Sequence, residues 1–119
     1  LADLLLVAAQ EPFTVADLGF KNGAVYEEIC RKAKKLGLEL CPNEVGPQLR
    51  LQYTDQPMWE CIFVGMERIR DSSGDLSVFC AWHHDGLVTL SAIGGRRNIV
   101  WLAECHFVFV RPKSSPASR

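Results

Sequence analysis

Two stretches of this chain, Trp59 to Met66 and Leu76 to His83, are apolar at odd and even positions alike. Successive side chains of a β-strand point to opposite faces, so strands of this composition need a cover on both sides. In the first, Trp59, Cys61 and Phe63 stand against Ile62, Val64 and Met66. In the second, Leu76, Val78, Cys80 and Trp82 stand against Phe79 and Ala81. Any architecture for these residues has to place something apolar above and below the sheet.

The surrounding pattern predicts more strands. Leu49-Arg50-Leu51-Gln52-Tyr53 alternates apolar and polar, which reads as a strand with Leu49, Leu51 and Tyr53 on one face. Thr54 to Pro57 is turn chemistry, and Asp71-Ser72-Ser73-Gly74-Asp75 is the strongest loop signal, joining two hairpin strands. The Asp85-Gly86 pair suits a tight hairpin before a short strand from Leu87 to Ala92. Gly94 to Asn98 reads as a basic loop. Cys105 to Arg111 is the last strand, stopped by Pro112.

Gly23 to Leu36 is the principal helix. Tyr26, Ile29, Cys30, Ala33 and Leu36 recur at helical spacing, Asn22 is the expected N-cap, and acidic residues precede basic ones. Gly37 is the expected left-handed stop, with Leu38 folding back and Leu38 to Cys41 leaving extended. Leu1 to Gln10 predicts a nearly all-apolar helix that Pro12 ends. Thr14 to Asp17 matches a capping box, so one helical turn to Leu18 follows, closed by Gly19. The fold class is therefore α+β: a five-stranded antiparallel meander, curled towards a half-barrel, with one main amphipathic helix and a short N-terminal helix packed against it. Residues 1–112 form one domain and Lys113 to Arg119 a loose Ser/Pro-rich tail.

With 119 residues, 48% of them apolar and 23% charged, the chain can bury a core and is not disordered as a whole. A net charge of −1 supplies no field that gathers nucleic acid. Its longest apolar run, Leu4 to Ala9, is too short to span a bilayer. Five cysteines without a Cys-x-x-Cys read as buried thiols in a reducing compartment, so the expected location is the cytoplasm.

The stretches Phe13 to Gly19, Leu36 to Pro42, Glu44 to Tyr53, Asp55-Gln-Pro57 and Phe107 to Arg111 resemble a group of small bacterial proteins, some carried on mobile DNA such as integron gene cassettes. That group has no assigned activity. The resemblance implies a bacterial, cytoplasmic, single-domain protein and transfers no catalytic residue.

Chemistry is sparse. His84 and Asp85, with His106 on the last strand, are the candidate acid–base set of a small enzyme, but adjacent strand residues such as His83 and His84 face opposite ways. The cysteines lie among aromatic and β-branched neighbours that hold a thiol protonated. Arg31, Lys32, Lys34, Lys35, Arg96 and Arg97 offer a weak phosphate-binding surface. No metal ligand set and no cofactor motif is present in the sequence. The surplus of large rings is more informative. It points to a non-enzymatic, homodimeric binding module that recognises a protein partner or a small apolar ligand. Trp59, Trp82 and Trp101, with His84 and Arg96, are the candidate contact residues.

Overall fold

The computed structural model describes residues 12–70, 72–94 and 99–110. The predicted helix Leu1 to Gln10, the Gly94 to Asn98 loop from Gly95 onwards, and the tail lie outside them. The described chain runs β1 (Phe13–Thr14), β2 (Ala24–Val25), α1 (Tyr26–Lys35), α2 (Val45–Gln52), β3 (Cys61–Val64), β4 (Ile69–Arg70), β5 (Leu76–His84), β6 (Leu87–Gly94), β7 (Val100–Trp101) and β8 (His106–Val108).

The architecture is α+β, with two helices among the described residues and an open, mostly antiparallel sheet. It is not a five-stranded meander. Six strands make the main sheet in the order β1-β8-β3-β5-β4, with β6 on the other side of β5. The sheet is mixed, because β8 enters beside β3 and runs parallel to it, Phe63 opposite Phe107. A separate two-stranded ribbon joins β2 to β7, Ala24 opposite Trp101.

The largest departure from the sequence reading is Leu49 to Tyr53. Leu49 to Gln52 form the end of α2, with Tyr53 as its C-cap, rather than a first strand. Val45 and Leu49, four residues apart, are buried on its inner side, whereas Leu51 is 72% exposed. The apparent period of two rested on a leucine that packs on nothing. Pro47 is the third helical residue, where the missing N–H has no intrahelical acceptor in any case.

With α2 in place, both faces of the sheet are covered by this chain. Gly46 lies against the ring of Phe79, and a Cβ there would stand 2.5 Å from Cδ2. Phe79 shares its face with Ala81 and Ile62, so α2 roofs that side. On the other face Phe63, Phe107 and Trp101 meet edge to face or tilted, at 4.7–5.5 Å between centroids, and Tyr26 of α1 reaches them at 6.0–6.4 Å. The Tyr26 hydroxyl also donates to the Met66 carbonyl and accepts from the Met66 N–H.

α1 starts later than the N-cap expected at Asn22. Ala24 and Val25 spend their backbone groups on β7, and Val25 precedes the helix without a side-chain cap. Its end is as expected. Leu38 N–H bonds Ala33 O and Gly37 N–H bonds Lys34 O, with Gly37 at φ 88°. Thr14 and Asp17 form the reciprocal capping box, at 3.0 and 2.9 Å. The Asp85-Gly86 hairpin is also present. Both residues have positive φ, and His84 pairs with Leu87 across them.

The cysteines are not all free. Cys80 pairs with Phe63 and Cys61 with Trp82, so the two cysteines are diagonal neighbours on one face and are joined as a disulfide, Cα–Cα 6.6 Å. Cys30, Cys41 and Cys105 remain thiols. No described helix is long and apolar enough to cross a membrane.

Candidate functional site

Between α2 and β3 the chain passes from one face of the sheet into an interior strand. Gln56, almost fully buried, anchors that passage: its Nε2 donates to the carbonyls of Glu60 and Ala81, both at 3.0 Å. Its own carbonyl accepts from His83 Nδ1 at 2.6 Å, which places the proton of that ring on Nδ1. Trp59 N–H then bonds the His83 carbonyl at 2.6 Å, and His83 N–H returns to the Glu60 carbonyl at 3.1 Å.

These bonds hold Trp59 at φ 72°, a left-handed backbone that side chains other than glycine rarely take. Its indole is 63% exposed. Beside it opens a cavity of about 370 Å³, walled by Trp59, Phe63 and Cys61 from one side and by Cys105 and His106 from the other. Glu60 and Glu104 also line it. The walls are mostly carbon, and the two carboxylates share them with the His106 ring and the Cys105 thiol. Glu60 Oε1 is buried without a hydrogen-bond partner among the described residues. Burial, together with the neighbouring Glu60 carboxylate, pushes the Tyr53 phenol up to about 12. Burial also raises the Cys105 thiol, leaving it a poor nucleophile.

The other sequence candidates are dispersed. Trp101 is in the core, enclosed by Phe63, Phe107 and Tyr26. Trp82 is half-buried and stacks on His84 at 4.0 Å. His84 Nδ1 lies 3.4 Å from Asp85 Oδ2 at the hairpin tip. His106, on β8, is separated from that tip by β3, so the three groups of the enzymatic alternative do not meet. Arg96 and Arg97 lie outside the described residues. No group of three or more His, Cys, Asp or Glu among the described residues is placed to hold a metal.

Sequence reasoning named Trp59 but missed Glu60, Phe63, Cys105 and Glu104 as its companions. No local signal joins residues 59–63 to 104–106; the parallel β3–β8 pairing does. A second hollow of about 350 Å³ lies along α1, against Tyr26, Cys30 and Met66. There Arg68 is engaged by Glu27 at 3.3 Å and by the Tyr26 ring at 5.6 Å, and Arg31 and Lys34 share the rim with Glu67. Charges of both signs leave it no clear preference. Compared with protein-family descriptions, curated proteins and solved structures, the chain matches none.

Proposed function

We propose that this chain is a non-enzymatic binding module that holds a small apolar ligand in the cavity beside Trp59 and self-associates through the free edge of β6. One observation carries the ligand half. Trp59 keeps a left-handed backbone while its ring stays mostly in solvent at the mouth of an apolar cavity. Such a backbone costs about 1–2 kcal/mol, and an exposed ring recovers little of that from the core. A ligand that the indole covers supplies the missing contact. A cavity of this size is at the small end of the range for small-molecule sites.

The self-association half rests on β6. Its inner edge pairs with β5 from Leu87 to Gly94, and no described strand pairs with its outer edge. Those eight residues contain no charge and no proline, the devices that normally blunt a sheet edge. Two copies of this strand meet without like-charge contact. The sequence resemblance supports a bacterial setting.

The test of the ligand half is titration with an environment-sensitive apolar dye. Binding to the native chain should weaken about tenfold in Trp59→Ala, roughly the loss of one buried aromatic contact. Undiminished dye binding by Trp59→Ala would remove the site.

A further inference from the structure

We infer that the cavity beside Trp59 selects a small organic cation, an ammonium carrying methyl or methylene groups, over a neutral molecule of the same shape. The inference rests on the proposed ligand site and adds the charge of its occupant. Two carboxylates, Glu60 and Glu104, line the same cavity as the rings of Trp59 and Phe63. Neither carboxylate has an ion-pair partner among the described residues. The Tyr53 hydroxyl engages the Glu60 carboxylate, but Oε1 of that carboxylate is buried with no donor among the described residues, which is unfavourable unless a donor or a cation arrives.

The rings argue the same way. An aromatic face carries negative potential, so a cation within about 6 Å of a ring centroid is attracted to it, most strongly to an indole. A neutral apolar ligand would use the ring area and leave the buried Glu60 oxygen without a donor. An anion would be repelled by both. A metal ion would leave the ring surfaces idle, and no three His, Cys, Asp or Glu side chains among the described residues are placed to hold one. An alkylated ammonium uses the rings and the carboxylates together: its methyl groups fill the apolar wall, its charge faces the carboxylates, and Trp59 covers it.

Choline and its neutral isostere 3,3-dimethylbutan-1-ol make the test, each titrated against the full chain by ligand-observed NMR. Choline should bind about tenfold or more tightly than the alcohol, the discrimination expected from one desolvated charge contact. Glu60→Gln and Glu104→Gln should each reduce choline binding towards that of the alcohol measured on the same variant. Urea unfolding reports that each variant is folded. Equal binding of choline and the alcohol overturns the charge preference and leaves the apolar site standing. Choline binding unchanged in both Gln variants overturns it as well. Failure of dye, alcohol and choline together would instead remove the site itself.

Discussion

Arg50 donates from Nη1 to Oε1 of Gln56 at 2.8 Å, tying α2 to the segment that presents Trp59. The same guanidinium reaches the carbonyls of Tyr53 at 2.6 Å, Thr89 at 3.2 Å and Trp82 at 3.4 Å. One planar fork thus spans the end of α2, the connection after it, and strands β5 and β6. Burial lowers its pKa from the usual arginine value, but it stays charged at neutral pH. Gln56→Ala should cost about 1–3 kcal/mol, because Glu60 O, Ala81 O and Arg50 all lose a partner. Arg50→Lys should cost about 1–2 kcal/mol, since an ammonium cannot reproduce the fork. Urea unfolding measures both; changes under about 0.5 kcal/mol would show that the staple is solvated.

Gly46 and Gly37 separate packing from backbone strain. At Gly46 a methyl group would enter the Phe79 ring, so Gly46→Ala should destabilise by about 1–3 kcal/mol. Phe79→Leu should recover part of that loss in a double-mutant cycle. At Gly37 the space is open but φ is 88°, so Gly37→Ala should cost about 1 kcal/mol through the backbone alone. No recovery by Phe79→Leu would mean that α2 does not sit on β5 as described.

Trp59 carries opposite expectations for stability and binding. Trp59→Gly removes the left-handed penalty and adds unfolded-state entropy, for a net change between zero and about 1 kcal/mol in favour of folding. The same variant should lose ligand and dye binding. Thermal unfolding and dye titration on one sample check the pair. A clear loss of stability would mean that the indole is a core group.

Alkaline pH should weaken the fold. Burial pushes the Cys41 thiol from an ordinary value of 9.0 to about 12 and raises the Tyr26 phenol still further. Both groups hold their proton more tightly folded than unfolded. Each contribution is complete below the unfolded value; that of Cys41 is lost as pH rises from 9.0 towards about 12, and that of Tyr26 begins to fall only above 10.0. At about pH 10.5 the Cys41 share should be on the order of 2 kcal/mol relative to about pH 8. Cys41→Ala should flatten this decline, as read from urea midpoints at the two pH values. An equally steep decline in the variant would place the effect elsewhere.

The β6 edge yields a prediction about assembly. Val88 is exposed there, so Val88→Lys should leave the monomer fold intact while introducing facing charges in a paired dimer. Sedimentation at tens of micromolar, roughly the range in which modest edge contacts register, should show a dimer for the native chain and a monomer for the variant. A native monomer, or a dimer that survives the lysine, would rule out this edge.

Local signals in the sequence resolved those elements whose determinants lie within a few residues of one another. The stripe of Tyr26, Ile29, Cys30 and Ala33, the Gly37 stop, the Thr14–Asp17 capping box and the Asp85-Gly86 turn all depend on contacts within about one and a half helical turns or less along the chain. The demand for cover on both faces of β3 and β5 was likewise visible in composition. Tertiary structure alone decided what met that demand. It made a helix of Val45–Gln52, set β8 parallel to β3, brought Cys61 to Cys80, and turned Trp59 into a left-handed backbone beside Glu60 and Glu104. Each of those outcomes is chosen by partners tens of residues away: Phe79 against Gly46, Phe107 beside Phe63, His83 holding Trp59. Short-range periodicity carries no information about them, because the energy that selects them exists only once distant segments have met.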